Sequence, residues 1–255
     1  MTVLLEACVE GVEGAVAAAA AGVHRIELCA GLLEGGTTPS LGTVEEVIAC
    51  LSEQHLTRCK VHVLVRPRPG SFCYSAAEAR AALRDVRAMR HAGAHGVAVG
   101  ALREDGSIDT HALASIVALA KDDMQGAAGE CPPPMAVTFH RAFDACSTPA
   151  LQALAQLAER GVDGVLTSGR AATAWEGRHV IRDMVRSGVA GTTVIAAAGV
   201  SASNVARLMQ ATGAEAVHVG SAILEALEEA APLGMGVQRR VSRDKCGEIL
   251  QLFSA

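Results

Sequence analysis

Glu6, Glu27, Arg66 and His140 are residue types that acid–base chemistry needs, provided the chain brings them together. Two adjacent carboxylates repel, which raises the pKa of one. A neighbouring arginine keeps the other ionised, and a histidine supplies a second proton carrier. In this reading Glu6 or Glu27 is the base and His140 an acid or electrophilic partner. The alternative is a buried ion-pair network that only fills space, which Val and Leu would do at lower cost.

Cys8 and Cys29 form a second candidate set, since two thiolates at short range suit a soft monovalent ion such as Cu(I). The alternative is two buried free thiols, a common fate of cysteine. To share one ion their sulfurs must come within roughly 4 to 5 Å, the span of two Cu–S bonds slightly shorter than the ~2.3 Å of zinc thiolates.

Two further groups suit anions. Arg66-Pro67-Arg68 and Phe139-His140-Arg141-Ala142-Phe143-Asp144 concentrate charge where strands give way to loops, so Arg66 and Arg68 could clamp an anion or bridge to carboxylates such as Glu34 or Asp144. The glycine-rich segments around Gly199 and at His218-Val219-Gly220-Ser221 could cradle phosphate or form tight turns. Asp144 and Ser168 complete this candidate ligand-binding set.

These residues need elements that aim them at one point. Short Val-rich runs alternate with longer Ala-rich segments, the pattern of β-α units feeding a parallel sheet. Eight strands are expected: Val3 to Val9, Arg25 to Cys29, Val61 to Pro67, Gly96 to Gly100, Met135 to His140, Gly164 to Ser168, Thr193 to Gly199 and Ala216 to Ser221. Helical segments between them include Ser75 to His91, Asp109 to Met124, Thr148 to Arg160, Thr173 to Ser187 and Ser201 to Thr212, with Ser75 and Ser201 as N-caps. A loop is expected at Gly126 to Pro134, and a break at Pro232 to Gly236 before a C-terminal tail from about 232 with helical potential.

Parity within the strands groups Glu6 with Cys8, Arg25 with Glu27 and Cys29, His62 with Leu64 and Arg66, Thr138 with His140, and His218 with Gly220. One face of each strand is aliphatic and the other charged. Unpaired charge in an interior is costly, and a barrel removes the conflict by gathering the polar faces in its lumen. The 255 residues, half of them apolar, suffice for one α/β domain, a single (β/α)8 TIM barrel with its site at the C-terminal ends of the strands.

A net charge of −5, with no basic stripe and 2% aromatic residues, argues against nucleic acid as a partner. No stretch has the ~20 apolar residues of a membrane span, and the opening residues lack a secretory pattern. Eight cysteines without CxxC pairs fit free thiols in a reducing cytoplasm, several of them, such as Cys50 and Cys59, being small hydrophobes.

The segments EAC at 6 to 8, RIELC at 25 to 29, EGGTTPSLG at 34 to 42, RPRPGSFCYS at 66 to 75, GALREDGSID at 100 to 109, TFHRAFD at 138 to 144 and LTSG at 166 to 169 occur in order. Together, from the first strand to about Gly177, they make the chain resemble the CutC family of copper homeostasis proteins. The resemblance implies a TIM barrel, a soluble homo-oligomer, and copper binding through Cys8 and Cys29 as Cu(I) ligands. The other function considered is a lyase, isomerase or hydrolase acting on a small anionic substrate by Glu/His acid–base chemistry. The sequence departs from the family pattern RPRGGDF at Pro69 and Ser71, from a PGGG-like run at Ala196 to Ala198, and from the arginine of HxSAR after His218.

Overall fold

The computed structural model describes residues 3–121, 132–226 and 239–253. The break expected at Pro232 to Gly236, the end of the helix expected to reach Met124, and most of the Gly126 to Pro134 loop lie outside the described residues.

Eight parallel strands close into a ring: β1 (Leu4–Glu10), β2 (Arg25–Cys29), β3 (Lys60–Leu64), β4 (Gly96–Val99), β5 (Ala136–Phe139), β6 (Gly164–Thr167), β7 (Thr193–Ala196) and β8 (Ala216–Val219). The ring closes where β8 pairs with β1, setting Leu4 opposite Ala216 and Glu6 opposite His218. On the other side of β1 the register sets Glu6 opposite Arg25 and Cys8 opposite Glu27. The interleaved helices are α1 (Gly11–Ala20), α2 (Leu41–Glu53), α3 (Ala76–His91), α4 (Thr110–Lys121), α5 (Ala150–Ala158), α6 (Arg178–Arg186) and α7 (Val205–Thr212). The chain is thus a (β/α)8 barrel.

The C-terminal region contributes to this shell. After β8 a short antiparallel pair, β9 (Leu224–Ala226) with β10 (Arg239–Val241), leads into α8 (Arg243–Gln251). Cys246 and Ile249 of α8 are buried, and the helix packs on α1.

The aliphatic strand faces meet the helices. Val61, Val63 and Val65 lie in the main core with Ala15, Ala18, Leu154, Leu157 and Ile181. Burying such a Val, Leu or Ile side chain contributes about 1.5–3 kcal/mol. With few aromatics, alanines let helices sit close to the sheet; Ala15 and Ala18 of α1 are both fully buried.

Ser75 caps α3 with a reciprocal capping box: its hydroxyl accepts from the Glu78 amide at 3.2 Å, and the Glu78 carboxylate accepts from the Ser75 amide at 2.7 Å. Ser201 does not cap α7. Its carbonyl closes a turn by accepting from the Asn204 and Val205 amides, and the helix begins four residues later, at Val205. Strands expected to reach Pro67, Gly199 and Ser221 stop at Leu64, Ala196 and Val219, where the chain leaves the ladder for the loops over the barrel mouth.

Candidate functional site

The inner faces of β8, β1, β2 and β3 carry most of the polar groups of the ring. Glu6, Glu27 and His62 are buried on the face that strand parity directs inward, and Arg66 and His140, just past the ends of β3 and β5, are buried with them. Above them the loops enclose a cavity of about 530 Å³ lined by Cys8, Glu27, Arg66, His140, His218 and Gly220, among others.

Glu6 sits at the base of a chain of contacts. Its carboxylate pairs with the Arg25 guanidinium on one oxygen and accepts from His218 Nδ1 at 2.7 Å on the other. Burial alone would raise the Glu6 pKa, but Arg25 and the His218 bond outweigh it and hold the carboxyl at about 2. Glu6 is therefore a permanent counter-ion. The sequence reading offers Glu6 or Glu27 as the base; so low a pKa makes Glu6 the weaker base of the two.

Glu27 behaves in the opposite way. Burial pushes its pKa up, and nearby Glu6 adds to the effect. Its Oε2 lies 3.9 Å from His218 Nε2. His218 is itself raised: burial opposes its charged form, but the Glu6 bond and the Glu27 and Glu6 charges prevail. With Nδ1 donating to Glu6, the imidazole keeps Nε2 for a ligand. A carboxylate that orients a metal-binding histidine does the same.

The sulfurs of Cys8 and Cys29 lie 3.6 Å apart, and Cys29 also contacts the Val9 carbonyl at 3.5 Å. Hydrogen bonding to Cys29, burial and the Glu27 charge raise the Cys8 thiol well above its usual range. Ligand atoms of Cys8, Glu27 and His218 all fall within 4.8 Å of one another. A soft sulfur, an oriented imidazole and a carboxylate close enough to share one coordination shell fit a metal ion, and Cys8 is common to this group and to the thiol pair.

His140 is held on the far wall. Its Nδ1 accepts from the Ala142 amide at 3.1 Å, so the neutral ring carries its proton on Nε2. Burial, with Arg66 adding to it, lowers its pKa to about 3. His62, lower in the lumen, is likewise lowered to about 3 by burial and then by Arg25. The two rings need glycines in β4 and just after it. A Cβ on Gly96 would come within 2.5 Å of the His62 ring, and one on Gly100 within 2.4 Å of the His140 ring.

The structure brings Asp144, His218 and Gly220 to the cavity, and excludes Arg68, Gly199 and Ser221 from its lining. Arg68 braces the rim instead, bonding to Glu78 and to the carbonyls of Ser71 and Cys73 at 2.9 and 2.8 Å. Strand parity does not carry past Leu64, which is why Arg66 and Arg68 part company. Asp144 is saturated by Arg141, Thr167, Ser168 and Arg170, leaving no oxygen for a ligand. Ser168 is fully buried in that network. Gly199 adopts φ +69° in a turn whose carbonyl accepts from the Asn204 side chain, and Ser221 opens a short 3-10 turn over residues Ser221–Ile223.

Sequence reasoning overlooked Arg25 and Phe72 and gave His218 a different role. Arg25 had been grouped with Glu27 by parity but given no role. His218 had been assigned to an anion loop. The β1–β8 pairing that sets it on Glu6 could have been foreseen, since ring closure makes the first and last strands neighbours. Phe72 lies in an irregular loop with no periodic signal, yet it packs against both Arg66 and His140 at 5.2 and 5.1 Å.

The CutC family pattern matches residues 3–223. A CutC family protein of Bacteroides fragilis (strain YCH46) is 38% identical over 215 residues, covering 84% of this chain and 78% of that protein. One from Salmonella enteritidis PT4 is 42% identical over 221 residues, covering 87% and 81%. Among solved structures, a CutC from Streptococcus agalactiae described as a copper homeostasis candidate superposes with a TM-score of 0.74 at 27% identity, covering 86% of this chain and 99% of that one.

Proposed function

This chain belongs to the CutC family, and on that premise we propose that it serves copper homeostasis by holding Cu(I) at the barrel mouth. Cys8 is the central ligand, Cys29 the second thiolate, and His218 Nε2 the nitrogen donor. The observation that carries this reading is the convergence of Cys8, Glu27 and His218 ligand atoms within 4.8 Å, with a second sulfur 3.6 Å from Cys8.

Binding displaces protons. The raised Cys8 thiol and the raised His218 imidazole both deprotonate to become ligands, so apparent affinity should increase with pH. Glu6, fixed as a carboxylate by Arg25, keeps His218 oriented throughout. Glu27, whose pKa burial raises, is placed to take up a released proton, since two thiolates already more than balance the single charge of the ion. The aliphatic surroundings favour a soft, weakly hydrated ion over a hard one that keeps its waters.

The test is a substoichiometric Cu(I) titration against a competing chromophoric chelator, comparing the unmodified chain with a Cys8→Ser/Cys29→Ser variant. The site requires the variant to lose the tight equivalent. Unchanged affinity would remove the metal from these residues.

A further inference from the structure

We infer that the same cavity holds a second site, independent of copper, in which Arg66 and His140 bind the carboxylate of a small organic acid.

Arg66 is 7% exposed and carries a full positive charge. Its guanidinium is wrapped by neutral backbone: Nη1 donates to the carbonyls of Glu34, Gly35 and Gly36, the last at 2.8 Å, and Nη2 to that of Gly70 at 3.0 Å. No carboxylate among the described residues lies within ion-pair distance of it. A buried cation with no counter-ion is costly, and an anion in the cavity it lines would offset that cost. Its Nε remains without a hydrogen-bond partner.

His140, 4% exposed, supplies the second donor. Because Nδ1 accepts from Ala142, the proton sits on Nε2, and that N–H is also unpartnered. Arg66 and His140 approach the same Phe72 ring from the cavity wall. Both residues line the cavity, each has an N–H without a partner, and together they bring one net positive charge, the complement of the single charge of a carboxylate. A phosphate, with more oxygens and a charge near −2, would leave acceptors unsatisfied. The remaining wall includes Leu32, Leu64, Phe72 and Leu166, an apolar lining for the acid's body, and the volume fits a small molecule better than a bare ion.

Calorimetric titration of the copper-free, reduced chain with benzoate, benzamide and inorganic phosphate tests this. Benzoate should bind saturably. Benzamide, isosteric but uncharged, should bind at least about tenfold more weakly, and His140→Phe should weaken benzoate by a similar factor through loss of a hydrogen bond to a charged group. Arg66→Met should abolish benzoate binding. If circular dichroism shows that this variant does not fold, the benzamide comparison and His140→Phe decide the matter. The Cys8→Ser/Cys29→Ser variant should bind benzoate normally, which separates this site from the copper reading. Absence of benzoate binding, equal affinity for benzamide, preference for phosphate, or unchanged affinity in His140→Phe would each overturn the inference.

Discussion

Two arcs of the barrel interior contrast. Along β8, β1, β2 and β3 the inner face carries His218, Glu6, Cys8, Arg25, Glu27 and His62. Across the ring, β6 and β7 present Leu166 and Ile195, joined by Ala197 and by the first residues of β8 and β1, Ala216 and Leu4, in a separate aliphatic cluster. The contrast shows how a barrel can hold ionisable groups at its centre. The charges are gathered on adjacent strands, where the register pairs Glu6 with Arg25 and His218, and the opposite wall is aliphatic. In such surroundings each pairing is stronger than in water, and each broken pairing costs more.

The largest expected effect is from Glu6→Ala, which strands Arg25 and frees His218 to rotate. Removing one partner of a buried ion pair costs about 3–5 kcal/mol, whereas Ile195→Val on the aliphatic arc should cost about 0.5–1.5 kcal/mol. Urea unfolding of the two variants checks this, and the reverse order would break the contrast between the arcs.

Acid sensitivity sharpens it. His62 and His140 have folded pKa values of about 3, below the ordinary 6.5, so the unfolded chain takes up their protons first. Their contribution to stability is complete above pH 6.5 and declines as pH falls toward 3. Each proton accounts for up to about 1.4 kcal/mol per pH unit. Glu6 acts later, between its ordinary 4.5 and about 2, while His218, raised in the fold, loses its contribution as pH rises above 6.5. His140→Phe should flatten the stability profile between pH 6 and 5 by about 1 kcal/mol per pH unit. Thermal or urea unfolding at several pH values measures it, and an unaltered slope would mean that His140 is not held neutral.

The smallest effect is from Arg68→Ala. Its partly exposed pair with Glu78 should contribute less than about 1 kcal/mol. Titration should show unchanged affinity for both Cu(I) and benzoate, since Arg68 lies off the cavity. A loss of either would extend the site to the rim.

What the sequence made legible follows from period. Alternation in Val61-His62-Val63-Leu64 places His62 and Leu64 inward, and the same rule placed Glu6, Cys8, Glu27 and Cys29 together. The rule fails where ladders end. Arg68 and Ser221 lie beyond the last paired residue, so their directions come from loop contacts that no periodicity encodes. Gly96 and Gly100 read as plain strand residues, because the imidazoles that need their space come from β3 and from the residue after β5. The partnership of Glu6 with His218 spans almost the whole chain and follows from ring closure rather than from any local pattern.

The most direct test of the account is X-ray absorption at the copper edge of the chain loaded with one equivalent of Cu(I). The arrangement around Cys8 predicts a mixed shell, with sulfur at slightly under ~2.3 Å and one imidazole nitrogen that disappears in His218→Ala. A spectrum that is unchanged in Cys8→Ser, or that contains no nitrogen from His218, would contradict it.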